Sequence, residues 1–349
     1  MSNLSSRLAS YLSALAVSSI AVLGWWLAGA DAQAATIPAT NLMLWLDAKD
    51  INGDGNTNNN PSNGAAVAQW RDKSGNGYHA AQSNASKQPS YQATGFNGMP
   101  GVDFDGANDI LALPSTSSVN QFTAFFMWNL QAYSGALSSS DDFPLTFQDG
   151  SINDVGRYMG LEIGQNGGAS ADTIDVFGGF AADTRGSATG ISGLGNHRML
   201  AWSSTATNLT DIWQNGSSVT SVATTPCCGE THQSWNFVLG GGTGGNEFGV
   251  GGFQWPSLSA GFQFFTDEMA AELIFYDAIL SPDDRQLVEG ILAWKWGLED
   301  QLPGNHPFSD INPNIEIPEP ATLWLLGAGA GILVGARRRR RSRDTRLGA

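Results

Sequence analysis

Short apolar runs, each cut off by glycine, asparagine or serine, recur through the middle of this chain and admit few folds. Leu42–Leu46, Phe122–Trp128, Arg198–Trp202 and Trp235–Leu239 are such runs, separated by clusters such as Asn52–Asn63 and Gly240–Gly252. Runs of this length, with turn residues between them and no regular alternation with helical stretches, predict an all-β chain. The expected form is two antiparallel sheets packed as a sandwich. Asn215-Gly216, set between Thr210–Gln214 and Ser217–Val222, predicts a hairpin. Both central residues of a type I′ turn need positive φ, which asparagine and glycine tolerate. No repeat period points to a solenoid or a propeller.

One helix is predicted late in the chain, closing the sandwich. Ser281 can cap its N-terminus, Pro282 suits the first helical position, and Asp284 supplies a carboxylate at N3. Leu287, Val288, Ile291, Leu292 and Trp296 follow at helical spacing, and Gly297 is a natural stop.

Charge excludes one class of function. The 349 residues carry a net charge of -15, yet eight of the 17 basic residues are Arg7 and the arginines between Arg337 and Arg346. The middle of the chain is therefore more acidic than the whole. A body of this sign repels nucleic acid, and no basic stripe offers a footprint for it.

Both ends read as addresses. Arg7, an apolar stretch from Tyr11 to Ala30 and the Ala32-Gln33-Ala34 site predict a signal peptide over residues 1–34, cleaved after Ala34. Residues 311–317 form a linker. Pro318-Glu319-Pro320 then precedes Ala321–Ala336, which is uncharged and apolar. Arg337, Arg338, Arg339, Arg340 and Arg341 open a basic tail that runs to Arg346. As a helix the apolar stretch spans about 24 Å, against a hydrocarbon core of about 30 Å. It predicts a short transmembrane helix over 321–336, with the arginines as a cytoplasmic stop to transfer. Glycines at 327, 329, 331 and 335 suit it to a transient stay in the membrane better than to permanent anchoring.

Pro-Glu-Pro, apolar segment and arginine cluster, in that order, resemble the PEP-CTERM sorting signal of Gram-negative bacteria over residues 318–343. The resemblance implies that an exosortase reads Pro318, Glu319 and Pro320. It further implies an inner-membrane intermediate, then delivery to the cell surface or an extracellular polysaccharide matrix.

Four segments of the body resemble a second family, the LamG-like, concanavalin A-like jelly rolls. They are Leu44–Ala48 with Asp50–Gly55, Trp70–Gly77, Val102–Gly106, and Glu272–Tyr276 with Glu289–Leu298. They bracket residues 40–310, so one domain is expected there. This resemblance implies two antiparallel sheets, binding of carbohydrate or protein in most members, frequent structural calcium and usually no catalysis.

Asp50, Asn52 and Asp54, with Gly53 and Gly55, place oxygen ligands at alternate positions, as the first half of a calcium loop does. Pro61 stands where an EF-hand carries its bidentate glutamate, so a closing ligand would come from elsewhere, with Asp47 and Asp72 as contributors. A polar turn is the alternative. Asp105 and Asp109 form a second acidic group, read as a solvated strand end. Asp267, Glu268 and Glu272 raise a glycosidase as the competing class. Strand alternation would put Glu268 and Glu272 on one face, but about 13 Å apart, against roughly 5 Å for a retaining pair.

The remaining chemistry is sparse. His79, His197, His232 and His306 lack zinc spacing, and neither a nucleophile elbow nor a phosphate loop occurs. Cys227 and Cys228 sit between Pro226 and Gly229. They are candidates for a vicinal disulfide, or for two free or intermolecular thiols. Trp213, Trp235 and Trp255 are candidates for stacking on sugar rings, while most tryptophans belong to the core. The expectation is a non-catalytic exported module that binds carbohydrate or matrix. A glycoside hydrolase or lyase on the same sandwich, and a purely structural envelope protein, are the alternatives.

Overall fold

The computed structural model describes residues 36–132, 142–149, 158–163, 173–178, 186–189, 194–205, 209–219, 237–240, 247–255 and 262–314. All of these residues except Asn314 lie in one compact unit, Thr36–Pro313. The signal peptide, Cys227, Cys228, the Pro318-Glu319-Pro320 motif, the 321–336 segment and the arginine tail fall outside the described residues. Among the described residues, no helix is long and apolar enough to cross a membrane.

The unit is built of two antiparallel sheets and one helix. The first sheet runs Ser217–Val219, Leu209–Gln214, Arg198–Thr205, Gln121–Ala132, Asp267–Tyr276, Met99–Asp105, Ser90–Phe96. Two strands share one edge of the long Asp267–Tyr276 strand. Met99–Asp105 takes its first half, with Ala270 opposite Val102, and Leu42–Asp47 takes its second, with Leu273 opposite Leu46. The second sheet runs Gly186–Thr189, Thr173–Gly178, Tyr158–Ile163, Asp142–Asp149, Glu247–Val250, Leu111–Ala112, Ala80–Ala81, Gln69–Trp70.

The Gln121–Ala132 strand explains the layering. Its sequence is apolar almost throughout, and nine consecutive residues from Phe122 to Leu130 are buried. A strand with one wet face alternates; a strand covered on both faces does not. One face meets the second sheet, where Phe147 packs against Phe122 at 6.4 Å and Phe275 at 5.4 Å between ring centroids. Helix α1, Pro282–Trp296, packs on the first sheet against the neighbouring Arg198–Thr205 strand and binds Glu272 of Asp267–Tyr276.

Helix α1 has the predicted ends. The Asp284 N–H donates to the Ser281 hydroxyl at 3.1 Å, and that hydroxyl donates to the Asp284 carboxylate at 2.7 Å. Gly297 leaves the helix with φ 66°, the left-handed conformation a C-terminal glycine supplies. Asn97 adds a tie from outside. Its side-chain amide donates to the carbonyls of Trp296 at 2.8 Å and Gly297 at 3.0 Å. The predicted hairpin is present, with φ 48° at Asn215 and 77° at Gly216. A second Asn-Gly turn, Asn97-Gly98, joins Ser90–Phe96 to Met99–Asp105 with the same signs of φ.

Candidate functional site

Residues from distant segments meet in one buried charge cluster. The Leu42–Asp47 strand brings Trp45 and Asp47, and the turn after it brings Asp50. The loop after Trp70 brings Lys73, the Asp267–Tyr276 strand brings Glu272, and the last turn of α1 brings Lys295 and Trp296. Asp47 Oδ2 lies 2.8 Å from both Lys73 Nζ and Lys295 Nζ. Lys73 also reaches Asp50 Oδ2 at 3.0 Å. Lys295 Nζ lies 2.8 Å from each oxygen of Glu272. The indole N–H groups of Trp45 and Trp296 donate to the same carboxylate, one to each oxygen.

The cluster is dry on its acidic side. Asp47, Asp50 and Glu272 are 3%, 0% and 1% exposed. Indole rings cover the ammoniums, with Lys73 4.7 Å from the Trp45 centroid and Lys49 4.8 Å from that of Trp296. Burial works to raise Asp47, but Lys295 and Lys73 outweigh it and hold the carboxyl below the usual range. At Glu272 burial prevails over Lys295, and the group is pushed above its usual range. Burial, with Lys295 nearby, also draws Lys49 down.

The Asp50–Gly55 loop does not fit a calcium site. Asp50 accepts the N–H groups of Asp54 at 3.1 Å and Gly55 at 2.9 Å, and Lys73 already supplies it with a cation. Asp54 accepts from the Asn56 N–H at 2.8 Å and the Asn59 amide at 2.7 Å. The Asn52 carbonyl oxygen is buried without a hydrogen bond. Calcium takes six to eight oxygens, and the carboxylates that would lead such a set here are already committed to protein donors. Asp72 is likewise engaged, by the N–H groups of Trp45, Ser74 and Tyr78. Among the described residues, no group of three or more His, Cys, Asp or Glu side chains is arranged to hold a metal.

Glu268 and Glu272 do not share a face. The strand register breaks between Ala270 and Glu272, and this irregularity upsets the alternation. Glu272 turns to α1, whereas Glu268 turns toward Gly251 and Asp142 of the second sheet. Glu268 is 0% exposed, and neither of its oxygens has a hydrogen-bond partner. The nearby Gly251 N–H already donates to the Pro144 carbonyl at 3.0 Å. Burial pushes Glu268 well above the ordinary carboxylate range against the pull of the nearby Gly251 N–H, and Asp142 and Asp267 push it further.

The Asp105–Asp109 turn is only half solvated. Asp105 is exposed and accepts the N–H groups of Ala107, Asn108 and Asp109. Asp109 is buried, contrary to the expectation of a solvated strand end, because its loop folds under the Glu247–Trp255 hairpin where Gly251 meets the Asp109 carbonyl. Burial, with the Asp105 charge adding, pushes Asp109 up to about 6.

A second buried ionic group escaped the sequence reading. Glu289 of α1, 0% exposed, pairs with Arg285 one turn back and with His306 at 3.3 Å. The i, i+4 spacing of Arg285 and Glu289 was the only signal available. Arg285 also lies over the Trp213 ring, 4.1 Å from its centroid, so that face of Trp213 is taken. The side chains of Trp235 and Trp255 lie outside the described residues.

Comparison with known proteins locates one function-bearing segment. Residues 316–341 match the PEP-CTERM protein-sorting motif, two residues upstream of the span expected from the sequence. No curated protein matches the chain. Among solved structures, a Trypanosoma rangeli sialidase in complex with sialic acid is 13% identical, with a TM-score of 0.44. The match covers 75% of this chain and 34% of the sialidase, so the chain spans about a third of that protein's length. Domain 4 of a GH43 extracellular arabinanase from Geobacillus stearothermophilus, in complex with arabinotriose, is 13% identical. That match covers 64% of this chain and 97% of the domain, with a TM-score of 0.32. The CBM40 of a Ruminococcus gnavus IT-sialidase, bound to α2,3-sialyllactose, is 10% identical over 54% of this chain and 94% of that one, with a TM-score of 0.30. At these scores the likeness assigns no activity to this chain.

Proposed function

We propose that this chain is a non-catalytic surface module, a LamG-like jelly roll that an exosortase-dependent route delivers to the cell surface or extracellular matrix, where it binds carbohydrate. The observation that carries the reading is the PEP-CTERM motif at residues 316–341, which marks the chain as an exported, exosortase-processed protein of a Gram-negative bacterium with a membrane-anchored intermediate. The motif follows directly on a folded β unit, Thr36–Pro313, that such a route would deposit. The non-catalytic reading draws support from the carboxylates. Glu272 is held by two indoles and an ammonium, and Glu268 has no exposure. Most glycoside hydrolases use two carboxyl groups facing one sugar.

Two measurements test the proposal. Replacing Pro318, Glu319 and Pro320 by alanine is expected to leave the protein in the membrane fraction, and undiminished release would sink the sorting reading. The released protein is expected to bind on a glycan array equally well in calcium and in chelator, because Lys73 already neutralises Asp50. Absence of binding in both conditions would remove carbohydrate and leave a structural envelope role.

A further inference from the structure

We propose that Asp47 and Lys295 condense into an intramolecular isopeptide bond, with Glu272 carrying the protons, so that the first strand of the domain becomes covalently joined to its last helix. Three conditions make such a condensation accessible, and the buried cluster meets each of them.

The first is contact between nucleophile and acyl group. Lys295 Nζ lies 2.8 Å from Asp47 Oδ2, so the amine and the carboxyl are already at the separation from which a positioned pair reacts. Both side chains leave rigid elements, the Leu42–Asp47 strand and the last turn of α1. The second is a proton carrier that touches the amine. Glu272 offers both oxygens at 2.8 Å from Lys295 Nζ, and its carboxyl is fixed by the Trp45 and Trp296 indoles. The third is exclusion of water. Asp47 is 3% exposed and Glu272 1%, and the Lys295 side chain, 20% exposed, brings its ammonium within 5.9 and 5.2 Å of the Trp45 and Trp296 ring centroids, which shield it on the acyl side.

Asp47 is also polarised for attack. Lys73 Nζ contacts Oδ2 at 2.8 Å, and the Lys49 N–H donates to Oδ1 at 2.9 Å. Negative charge developing on the carboxyl oxygens therefore meets two donors already in place. Lys73 touches Asp47 equally closely, but its second partner is Asp50 and not Glu272. Lys295 alone of the two contacts both the acyl group and the carrier.

The step balances without any further reactant. The Lys295 ammonium gives one proton to Glu272. The neutral amine attacks Asp47 Cγ, and the C–N bond forms as charge moves onto the carboxyl oxygens. The proton held by Glu272 and a second one from the attacking nitrogen pass to one Asp47 oxygen. Its C–O bond breaks and water leaves. One ammonium and one carboxylate become one neutral amide and one water, so net charge is unchanged and nothing is oxidised or reduced.

Peptide mapping of the full chain by tryptic digestion and mass spectrometry tests this. We expect a peptide carrying Asp47 joined to one carrying Lys295, lighter than the two together by one water and uncut after Lys295. Recovery of Asp47 and Lys295 only in separate peptides, with cleavage after Lys295, would overturn the proposal whatever any variant does. Lys295→Arg keeps a cation in place but lacks the amine, and it is expected to give separate peptides in a chain that circular dichroism shows to be folded. Glu272→Gln keeps the shape and loses the carrier, and it is expected to reduce the joined form at least tenfold. An undiminished joined form in Glu272→Gln would remove Glu272 from the step.

Discussion

Glu268 sits against the second sheet with no exposure and neither oxygen hydrogen-bonded, so its neutral form is the one the fold accommodates. Burial raises its folded pKa above the value of 4.5 that the free side chain has. Between those two values the folded chain holds a proton that the unfolded chain has released. Stability must then fall as pH rises from about 4.5 toward the folded value. Glu268→Gln removes that loss, because glutamine never ionises. The variant is expected to match the parent near pH 4 and to gain on it above about pH 4.5, by about 1.4 kcal/mol for each pH unit until the folded carboxyl ionises. Urea unfolding near pH 4 and near neutral pH reads the difference, and equal gains at both would count against a buried neutral carboxyl. Little of this was legible from the sequence. Asp267, Glu268 and Glu272 were visible as carboxylates, but the irregularity after Ala270 that sends Glu268 and Glu272 to opposite faces depends on how the neighbouring strand pairs. Asp109 misled in the same way, since a short acidic turn gives no sign of the hairpin that buries it.

Local rules served best where an element's ends are set by its own residues. The Ser281 cap, Pro282 and Gly297 bounded α1, and Asn215-Gly216 specified its hairpin, because each acts over a few bonds. Asn97-Gly98 obeys the same turn rule, yet its flanking runs contain Gly95, Gly101 and Pro100, which mask the strand pattern. Asn97 does more than turn the chain, since its amide satisfies two carbonyls at the end of α1. Asn97→Ala loses those bonds and also puts a side chain that resists left-handed φ at 48°. The expected loss is about 2 kcal/mol from both effects. Asn97→Gly restores the backbone freedom only and should recover about half. Chemical denaturation of the two variants checks this, and equal losses would mean that the turn conformation contributes nothing.

At the scale of the whole molecule, the ionic cluster ties opposite ends of the sequence together. Trp45 and Glu272 are hydrogen-bonded across 227 positions, a pairing that no local pattern encodes. The motif segments were legible as a set, but their role in joining the first strand to the last helix was not. A chain ending before Ser281 would strip Lys295 and Trp296 from Glu272 and uncover the apolar residues that Val288, Leu292 and Trp296 of α1 bury. Stranding one partner of a buried ion pair removes about 3–5 kcal/mol, a large part of what a domain possesses. Residues 35–280 are therefore expected to show no cooperative thermal transition, and a sharp melt would refute the dependence on α1.

The shared edge of the Asp267–Tyr276 strand also sets a timetable. The Leu42–Asp47 strand leaves the ribosome early, but its partner strand and the lysine that neutralises Asp47 are made near the end of the domain. Contacts of such long range form late and slowly. A nascent chain of this design stays loose until almost all of it has emerged, which is the condition a polypeptide must meet to be threaded across a membrane before it folds.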